Sequence, residues 1–137
     1  MKHSIPIRIY YEDTDAGGIV YHANYLKFAE RGRTEFLRHT GYSNQNLHET
    51  RDIMFVVRHI DIDYLKPSSL DDLLSMETTI LSMKNSSFVM HQKVLRGEET
   101  IADMKVVLVC VQVNDYIPTR LPKDIKEAFQ SYQETLE

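Results

Sequence analysis

The chain has 137 residues, of which 42% are hydrophobic and 26% charged, and these values are typical of one ordinary globular domain over residues 1–137. Its formal net charge is -4 and it contains no basic run, so we expect no nucleic-acid partner. The residues from Met1 to Asp15 lack the apolar core of a signal peptide and no apolar run is long enough to span a bilayer, which predicts a cytoplasmic protein.

The first elements are a strand and a long helix. Ser4–Glu12 alternates between apolar and polar residues, as a half-buried strand does. From Asn24 to Arg38 the apolar residues recur at helical spacing, with Asn24 as a candidate N-cap and Gly41 as a candidate end. Gly32 falls on the apolar stripe, where a glycine lets the helix backbone approach a sheet closely. The stripe consists of Tyr25, Phe28, Ala29, Gly32 and Phe36.

The rest of the chain is rich in strands. Ser43–Arg51 is polar and predicts a loop with one turn at most, and a last amphipathic segment after Pro122 is expected to pack on the body or on a partner subunit. Strands that follow one helix without alternating helices favour an antiparallel sheet packed on that helix, an α+β arrangement. The long edges of such a sheet favour a homodimer. The predicted strands are Met54–Leu65, Leu73–Leu81, Phe88–Leu95 and Ile101–Val113, and the last segment carries Ile125, Ala128, Phe129, Tyr132 and Leu136.

The single cysteine, Cys110, lies within the apolar run Val106–Val111. A cysteine in such a run is typical of a small buried side chain rather than of a nucleophile, and alone it can form no internal disulfide. We therefore assign it to the core.

One stretch between the first strand and the helix, YYEDTDAGGIVYHANY, combines acids, glycines and a histidine. Its acids and glycine briefly resemble a calcium loop, but the twelfth position is Asn24 rather than glutamate. Gly17-Gly18 lacks the further spacing of a dinucleotide or nucleoside triphosphate loop. Asp13, Asp15 and His22 lack a second His or Cys cluster, so a metal site is a weak alternative.

The stretch also presents a carboxylate just ahead of a helix N-terminus, where free backbone N–H groups and the positive end of the helix dipole converge. A thioester or ester carbonyl oxygen placed against the amides near Tyr21 and His22 would be polarised there, while Asp15 attacks the carbonyl carbon or deprotonates water. The alternative is that the acids cap the turn and the glycines permit a tight bend. Spacing alone leaves both interpretations open.

The residues from Tyr11 to Tyr25, continued by Phe28–Glu35, closely resemble the YbgC-like acyl-CoA thioesterases, which are relatives of the 4-hydroxybenzoyl-CoA thioesterases. A second similar segment is Ile62–Leu74, and a third begins at Ser87. The resemblance implies the hot-dog fold, in which an antiparallel sheet of about five strands wraps a long central helix, followed here by a C-terminal helix.

The same resemblance implies hydrolysis of the thioester bond of acyl-CoA by a homodimer or homotetramer with active sites at subunit interfaces. Coenzyme A is then part of the substrate, and no cofactor or metal is implied. A link to the Tol-Pal envelope system is also implied, and it keeps open a non-catalytic acyl-binding or interaction role as the alternative function. A dehydratase-type hot-dog enzyme is disfavoured because Tyr25–Arg38 contains no histidine.

Carried over by position, the family's catalytic carboxylate falls on Asp15, and its accompanying tyrosine and histidine fall on Tyr11 and His22. The His22 amide is the expected oxyanion donor. Each has a simpler alternative: Tyr11 as an amphipathic strand residue and His22 as a neighbour of the helix cap. In the related benzoyl thioesterases a basic cluster meets the coenzyme A phosphates, and here only Lys84 of that cluster remains. A lysine in a turn is also typical of a solvated surface charge. The expected substrate-binding residues are Val20, Tyr21 and Lys84.

Overall fold

The computed structural model describes residues 1–135, in which a five-stranded antiparallel sheet packs against a long helix. The strand order is β1-β3-β4-β5-β2 and every pairing is antiparallel. This architecture confirms the α+β hot-dog arrangement expected from the sequence. In chain order the elements are β1 (His3–Arg8), a 3₁₀ turn (Tyr11–Asp13), α1 (Asn24–His39), α2 (Asn44–Arg51), β2 (Ile53–Tyr64), β3 (Leu73–Met83), β4 (Ser87–Arg96), β5 (Glu99–Gln112) and α3 (Lys123–Gln130).

The core lies between α1 and one face of the sheet. Phe28, Ala29 and Phe36 of α1 are buried there. A Cβ atom built on Gly32 would lie 2.6 Å from Met76 Cγ, so only glycine allows the helix this close to β3. The expected role of Gly32 is confirmed.

Cys110 is buried on β5, as expected from the sequence. Burial raises the pKa of its thiol to about 11, because the thiolate is poorly solvated there. The side chain therefore acts as a small core residue at neutral pH.

The segment predicted as a loop at Ser43–Arg51 is instead the helix α2. Ser43 caps it by accepting a hydrogen bond from the Asn46 N–H at 3.1 Å, and Asp52 ends it in a left-handed conformation with φ of 56°. Leu47 is its one buried residue. A helix with a single apolar anchor shows no helical periodicity, which explains why the prediction was wrong.

The first strand ends at Arg8 rather than Glu12. The chain turns because an Asp13 carboxylate oxygen accepts a hydrogen bond from the Tyr10 N–H at 2.8 Å. Tyr11 therefore lies in the 3₁₀ turn, and its interpretation as a strand residue is wrong.

The predicted ends of the central helix are partly confirmed. Gly41 follows its last turn with φ of +103° and donates its N–H to the Arg38 carbonyl. Asn24, however, is the first helical residue and Ala23 holds the cap position. The Asn24 side chain donates to Asp13, so it braces the preceding turn instead of capping the helix.

The C-terminal segment packs on the body of the same chain. Ile125 and Phe129 of α3 are buried, and Tyr132 lies beyond the end of the helix yet is buried as well. The Tyr132 carbonyl accepts a hydrogen bond from the Ile80 N–H at 3.0 Å, which fixes the chain against the part of β3 that extends beyond its pairing with β1. Leu136, predicted on this face, lies outside the described residues. Within residues 1–135 no helix is long and apolar enough to cross a bilayer.

Candidate active site

A short hairpin between β1 and α1 holds the Asp15 side chain at the surface. The Asp15 N–H donates to the Ile19 carbonyl at 2.9 Å and the Gly18 N–H donates back to the Asp15 carbonyl at 3.0 Å. Gly18 has φ of +83°, a backbone conformation that favours glycine. One carboxylate oxygen of Asp15 accepts the Gly17 N–H at 2.8 Å, and the other has no hydrogen bond within residues 1–135. The carboxylate is thus oriented through one oxygen while the other faces solvent.

Asp13, two residues earlier, is buried and has a structural task. One of its carboxylate oxygens accepts the Tyr10 N–H at 2.8 Å and the other accepts the Asn24 side-chain amide at 3.0 Å. This pairing ties the 3₁₀ turn to the first turn of α1. Both oxygens are engaged, so Asp13 is the turn residue and is unsuited to ligate a metal together with Asp15.

Of the backbone N–H groups that lead into α1, some are already hydrogen-bonded and others are free to bind a ligand. Val20 donates its N–H to the Ser68 carbonyl at 2.8 Å, and Tyr21 donates to the Asp13 carbonyl at 2.9 Å. The N–H groups of His22 and Ala23 have no acceptor within the described part of the chain. Of the amides suggested by the sequence, that of His22 is therefore free to bind an oxyanion and that of Tyr21 is not.

Aromatic side chains surround this helix start. The Tyr21 ring, 46% exposed, lies 4.6 Å from the His22 imidazole, centroid to centroid. The Tyr64 hydroxyl at the end of β2 donates to the His22 carbonyl at 3.1 Å. Tyr64 was not predicted as a site residue, although it lies in the second family-like segment, Ile62–Leu74. Its hydroxyl fixes the His22–Ala23 peptide, which carries the free Ala23 N–H.

A buried hydrogen bond also stabilises the start of α1. The Tyr25 hydroxyl lies 2.5 Å from Ser68 Oγ, and both side chains are buried. Burial raises the pKa of the Tyr25 phenol, an effect that the hydrogen bond between Tyr25 and Ser68 partly offsets. Because Ser68 also accepts the Val20 N–H, it connects the turn before β3 to the Asp15 hairpin. Sequence reasoning did not identify Ser68, which again lies in the second family-like segment.

A family model described as the thioesterase-like superfamily matches residues 10–129. The chain belongs to this superfamily. The match confirms the family resemblance, and curated acyl-CoA thioesterase relatives at 36–46% identity confirm the enzyme class that it implied.

Individual relatives agree with the thioesterase-like assignment. The chain is 43% identical over 126 residues to the acyl-CoA thioesterase YbgC of Haemophilus influenzae, covering 92% of this chain and 93% of the relative. It is 46% identical over 126 residues to the acyl-CoA thioester hydrolase YbgC of Escherichia coli strain CFT073, covering 91% and 93%. A probable thioesterase from Bartonella henselae has a similar structure, with a TM-score of 0.85 and 40% identity over 89% of this chain and 100% of that chain.

The fold does not bring all of the predicted site residues together. Tyr11 is 81% exposed, and its hydroxyl has no hydrogen bond within residues 1–135. The Val20 side chain is 4% exposed and its N–H is engaged, so neither group is presented to a substrate. Lys84 lies in the turn after β3, whereas the Asp15 hairpin adjoins the residues just before that strand, where the Val20 N–H donates to the Ser68 carbonyl. The 11 residues of β3 span about 33 Å of strand, so Lys84 and Asp15 of one chain lie at opposite ends of the sheet.

Proposed function

We propose that the protein hydrolyses the thioester bond of acyl-CoA to a carboxylic acid and coenzyme A. The observation that carries this proposal is the hairpin that leaves one Asp15 carboxylate oxygen unbonded, seven residues before the free His22 N–H at the start of α1. The names of the YbgC relatives at 43–46% identity support acyl-CoA as the substrate class.

In the proposed reaction the thioester carbonyl oxygen accepts a hydrogen bond from the His22 N–H. The positive end of the α1 dipole adds to this stabilisation as negative charge develops on that oxygen. The Tyr21 carbonyl shares a peptide plane with the His22 N–H and accepts the Asn24 N–H at 2.9 Å, which holds that plane in place. The Tyr64 hydroxyl holds the next peptide through the His22 carbonyl. These groups are fixed before substrate binds, so little reorganisation is needed in the transition state.

Asp15 supplies the second half of the chemistry, as nucleophile or as general base. As a nucleophile its free oxygen attacks the carbonyl carbon to form a mixed anhydride that water then hydrolyses. As a base it removes a proton from the water that attacks. In both cases the C–S bond breaks and coenzyme A leaves as a thiolate, which needs little help from an acid.

The remaining site residues have supporting roles in this proposal. The exposed Tyr21 ring and the His22 imidazole form a surface next to the reacting carbonyl, suited to contact with substrate. The exposed Tyr11 hydroxyl has no hydrogen bond within residues 1–135 and is free to bind water or a substrate group. Lys84 is too distant to serve the same chain's Asp15, so its contact with a coenzyme A phosphate requires a second copy of the chain.

A homodimer or larger homo-oligomer is therefore part of the proposal. β2 has 12 residues and lies at the edge of the sheet, where β5 is its one strand partner within residues 1–135. Long unpaired edges invite pairing with another strand. A second copy would cover this edge and bring further residues to the site.

The first test is thiol release from a panel of short, long and aromatic acyl-CoAs by the parent and by Asp15→Asn. We expect turnover by the parent and a loss of about a hundredfold or more in the variant, a barrier increase of about 2.7 kcal/mol. Glu12→Gln is the matched control, because Glu12 is an exposed acid in the same loop. Absence of turnover by the parent, or equal activity of Asp15→Asn, would favour the non-catalytic acyl-binding alternative.

A further inference from the structure

The turn that leads from β2 into β3, residues 67–72, is the structure against which the Asp15 hairpin is held. In this turn the Ser68 carbonyl accepts the Val20 N–H at 2.8 Å. The Ile19 carbonyl, one residue earlier on the hairpin, accepts the Asp15 N–H at 2.9 Å. A movement of the 67–72 turn would therefore be passed to the backbone that carries Asp15.

Arg96, at the end of β4, contacts both ends of this turn. Its Nη1 atom donates to the Pro67 carbonyl at 3.3 Å and to Asp72 Oδ2 at 2.9 Å. The same Asp72 oxygen accepts the Ser69 N–H at 2.9 Å, which closes the turn internally. A single guanidinium thus bridges the first and the last residue of the 67–72 turn.

The other end of the guanidinium is fixed to the start of β5. Arg96 Nη2 donates to Glu99 Oε1 at 2.6 Å, and Lys66 Nζ donates to Glu99 Oε2 at 2.5 Å. The hydrogen bonds from Lys66 and Arg96 lower the pKa of Glu99, so this side chain is charged at neutral pH. An isolated ion pair at a protein surface contributes little, whereas several charges joined in a network hold a defined geometry. Lys66, Glu99, Arg96 and Asp72 form such a network.

The same network acts on the first turn of α1. The side chain of Ser68 is fully buried and its hydroxyl meets that of Tyr25. Burial is the main reason for the raised pKa of Tyr25, while the charge of Arg96 opposes that increase and the charge of Asp72 adds to it. The charged pair therefore lies near the buried hydroxyls. Through Ser68 the turn joins Arg96 to both parts of the site, the hairpin and the helix start.

We propose that Arg96 is a positioning residue for the hydrolysis: it fixes the 67–72 turn, and the turn holds the hairpin that orients the Asp15 carboxylate. Arg96 has no hydrogen bond to the hairpin itself within residues 1–135, so its effect passes through the Ser68 carbonyl. The inference rests on the proposed function, since it takes Asp15 as the reacting group. The coupling between Arg96 and the hairpin is nevertheless measurable without turnover.

Amide hydrogen exchange followed by NMR tests this coupling directly. In Arg96→Met the N–H groups of Val20 and Ser69 should exchange about tenfold faster, because the turn that binds them opens more often. The amides in the interior of α1, residues 28–36, should accelerate much less, whereas general destabilisation would raise their exchange as well. Unchanged exchange at Val20, or an equal increase throughout α1, would overturn the proposal.

Steady-state kinetics with an acyl-CoA separate positioning from substrate binding. Arg96→Met should lower kcat about tenfold and leave KM within about twofold, since a displaced carboxylate affects the chemical step rather than binding. Arg96→Lys keeps the charge and one donor group for Asp72, so it should recover part of kcat and part of the protection of the Val20 N–H. Arg38→Met is the matched control, because Arg38 is an exposed arginine whose guanidinium pairs with Glu35 on the same helix. It should retain the parental kcat and exchange rates.

The two measurements together distinguish the failure of this inference from that of the proposed function. An active parent with an Arg96→Met variant of parental kcat, or one changed in KM alone, would overturn the positioning role and leave the thioesterase proposal intact. A parent without turnover would overturn the thioesterase proposal, and with it any role of Arg96 in hydrolysis, even if the Val20 N–H exchanges faster in the variant.

Discussion

At the scale of single residues, the Asp15 hairpin shows how two glycines serve one carboxylate. Gly18 supplies the left-handed turn, with φ of +83°. Gly17 supplies the N–H that binds the carboxylate, and a Cβ atom on it would lie 3.2 Å from the bound oxygen. That separation is tighter than ordinary van der Waals contact, so a side chain at position 17 would displace the Asp15 carboxylate by a few tenths of an ångström.

Gly17→Ala therefore tests whether the orientation of Asp15 matters for turnover. We expect kcat to fall several-fold, less than in Asp15→Asn, because a misplacement of about 1 Å costs about a hundredfold and this displacement is smaller. The melting temperature should change little, since the loop is exposed. Ala16→Ser is the adjacent control and should retain parental kcat. A Gly17→Ala enzyme with unchanged kcat would show that the Gly17 hydrogen bond does not position the carboxylate.

Among the site residues, the sequence predicted the roles of those whose contacts are close in sequence. The turn role of Asp13 and the surface position of Asp15 follow from contacts within a dozen residues. The Tyr25–Ser68 hydrogen bond joins positions 43 residues apart, and no local pattern predicts which buried hydroxyls meet. Only the folded hairpin reveals that the Tyr21 amide is bound to the Asp13 carbonyl while the His22 amide is free within residues 1–135.

At the scale of elements, the contact between α1 and β3 depends on the missing side chain of Gly32. The helical stripe from Tyr25 to Phe36 predicted this contact, because a glycine on an apolar stripe has a packing reason. The helix α2 had no such signal, since its stability comes from the Ser43 cap and the single anchor Leu47. Periodicity thus predicts elements that bury a whole face and misses those that bury one residue.

Gly32→Ala should destabilise the protein although alanine has the higher helix propensity. The new Cβ would lie 2.6 Å from Met76 Cγ and 3.0 Å from Gln92 Nε2, and such overpacking typically costs about 1–3 kcal/mol. Urea unfolding would measure the loss, with Lys27→Ala on the exposed face of α1 as the control. A free energy of unfolding equal to or above that of the parent would show that α1 can move away from β3 at little cost.

At the scale of the whole molecule, the sheet ends in an edge that the chain itself leaves uncovered. The outer side of β2 has no strand partner within residues 1–135, and Val57 on it is 44% exposed. The position of Lys84 gives a second reason to expect another copy, because one chain places it at the far end of the sheet from Asp15. The edge of β2 is the surface on which we expect the copies to pair.

Val57→Lys tests this surface, because a lysine on an edge strand opposes pairing with a second strand. Val57 is already partly exposed, so the substitution should leave the fold intact by circular dichroism while the mass measured by light scattering falls to that of the monomer. Ile117→Lys is the matched control: Ile117 is 57% exposed in the turn after β5, and its substitution should preserve the parental mass. A parental protein that is monomeric, or a Val57→Lys protein that keeps the parental mass, would contradict pairing through β2. In that case Lys84 would have no route to the Asp15 site through this edge, and its proposed contact with coenzyme A would fall with it.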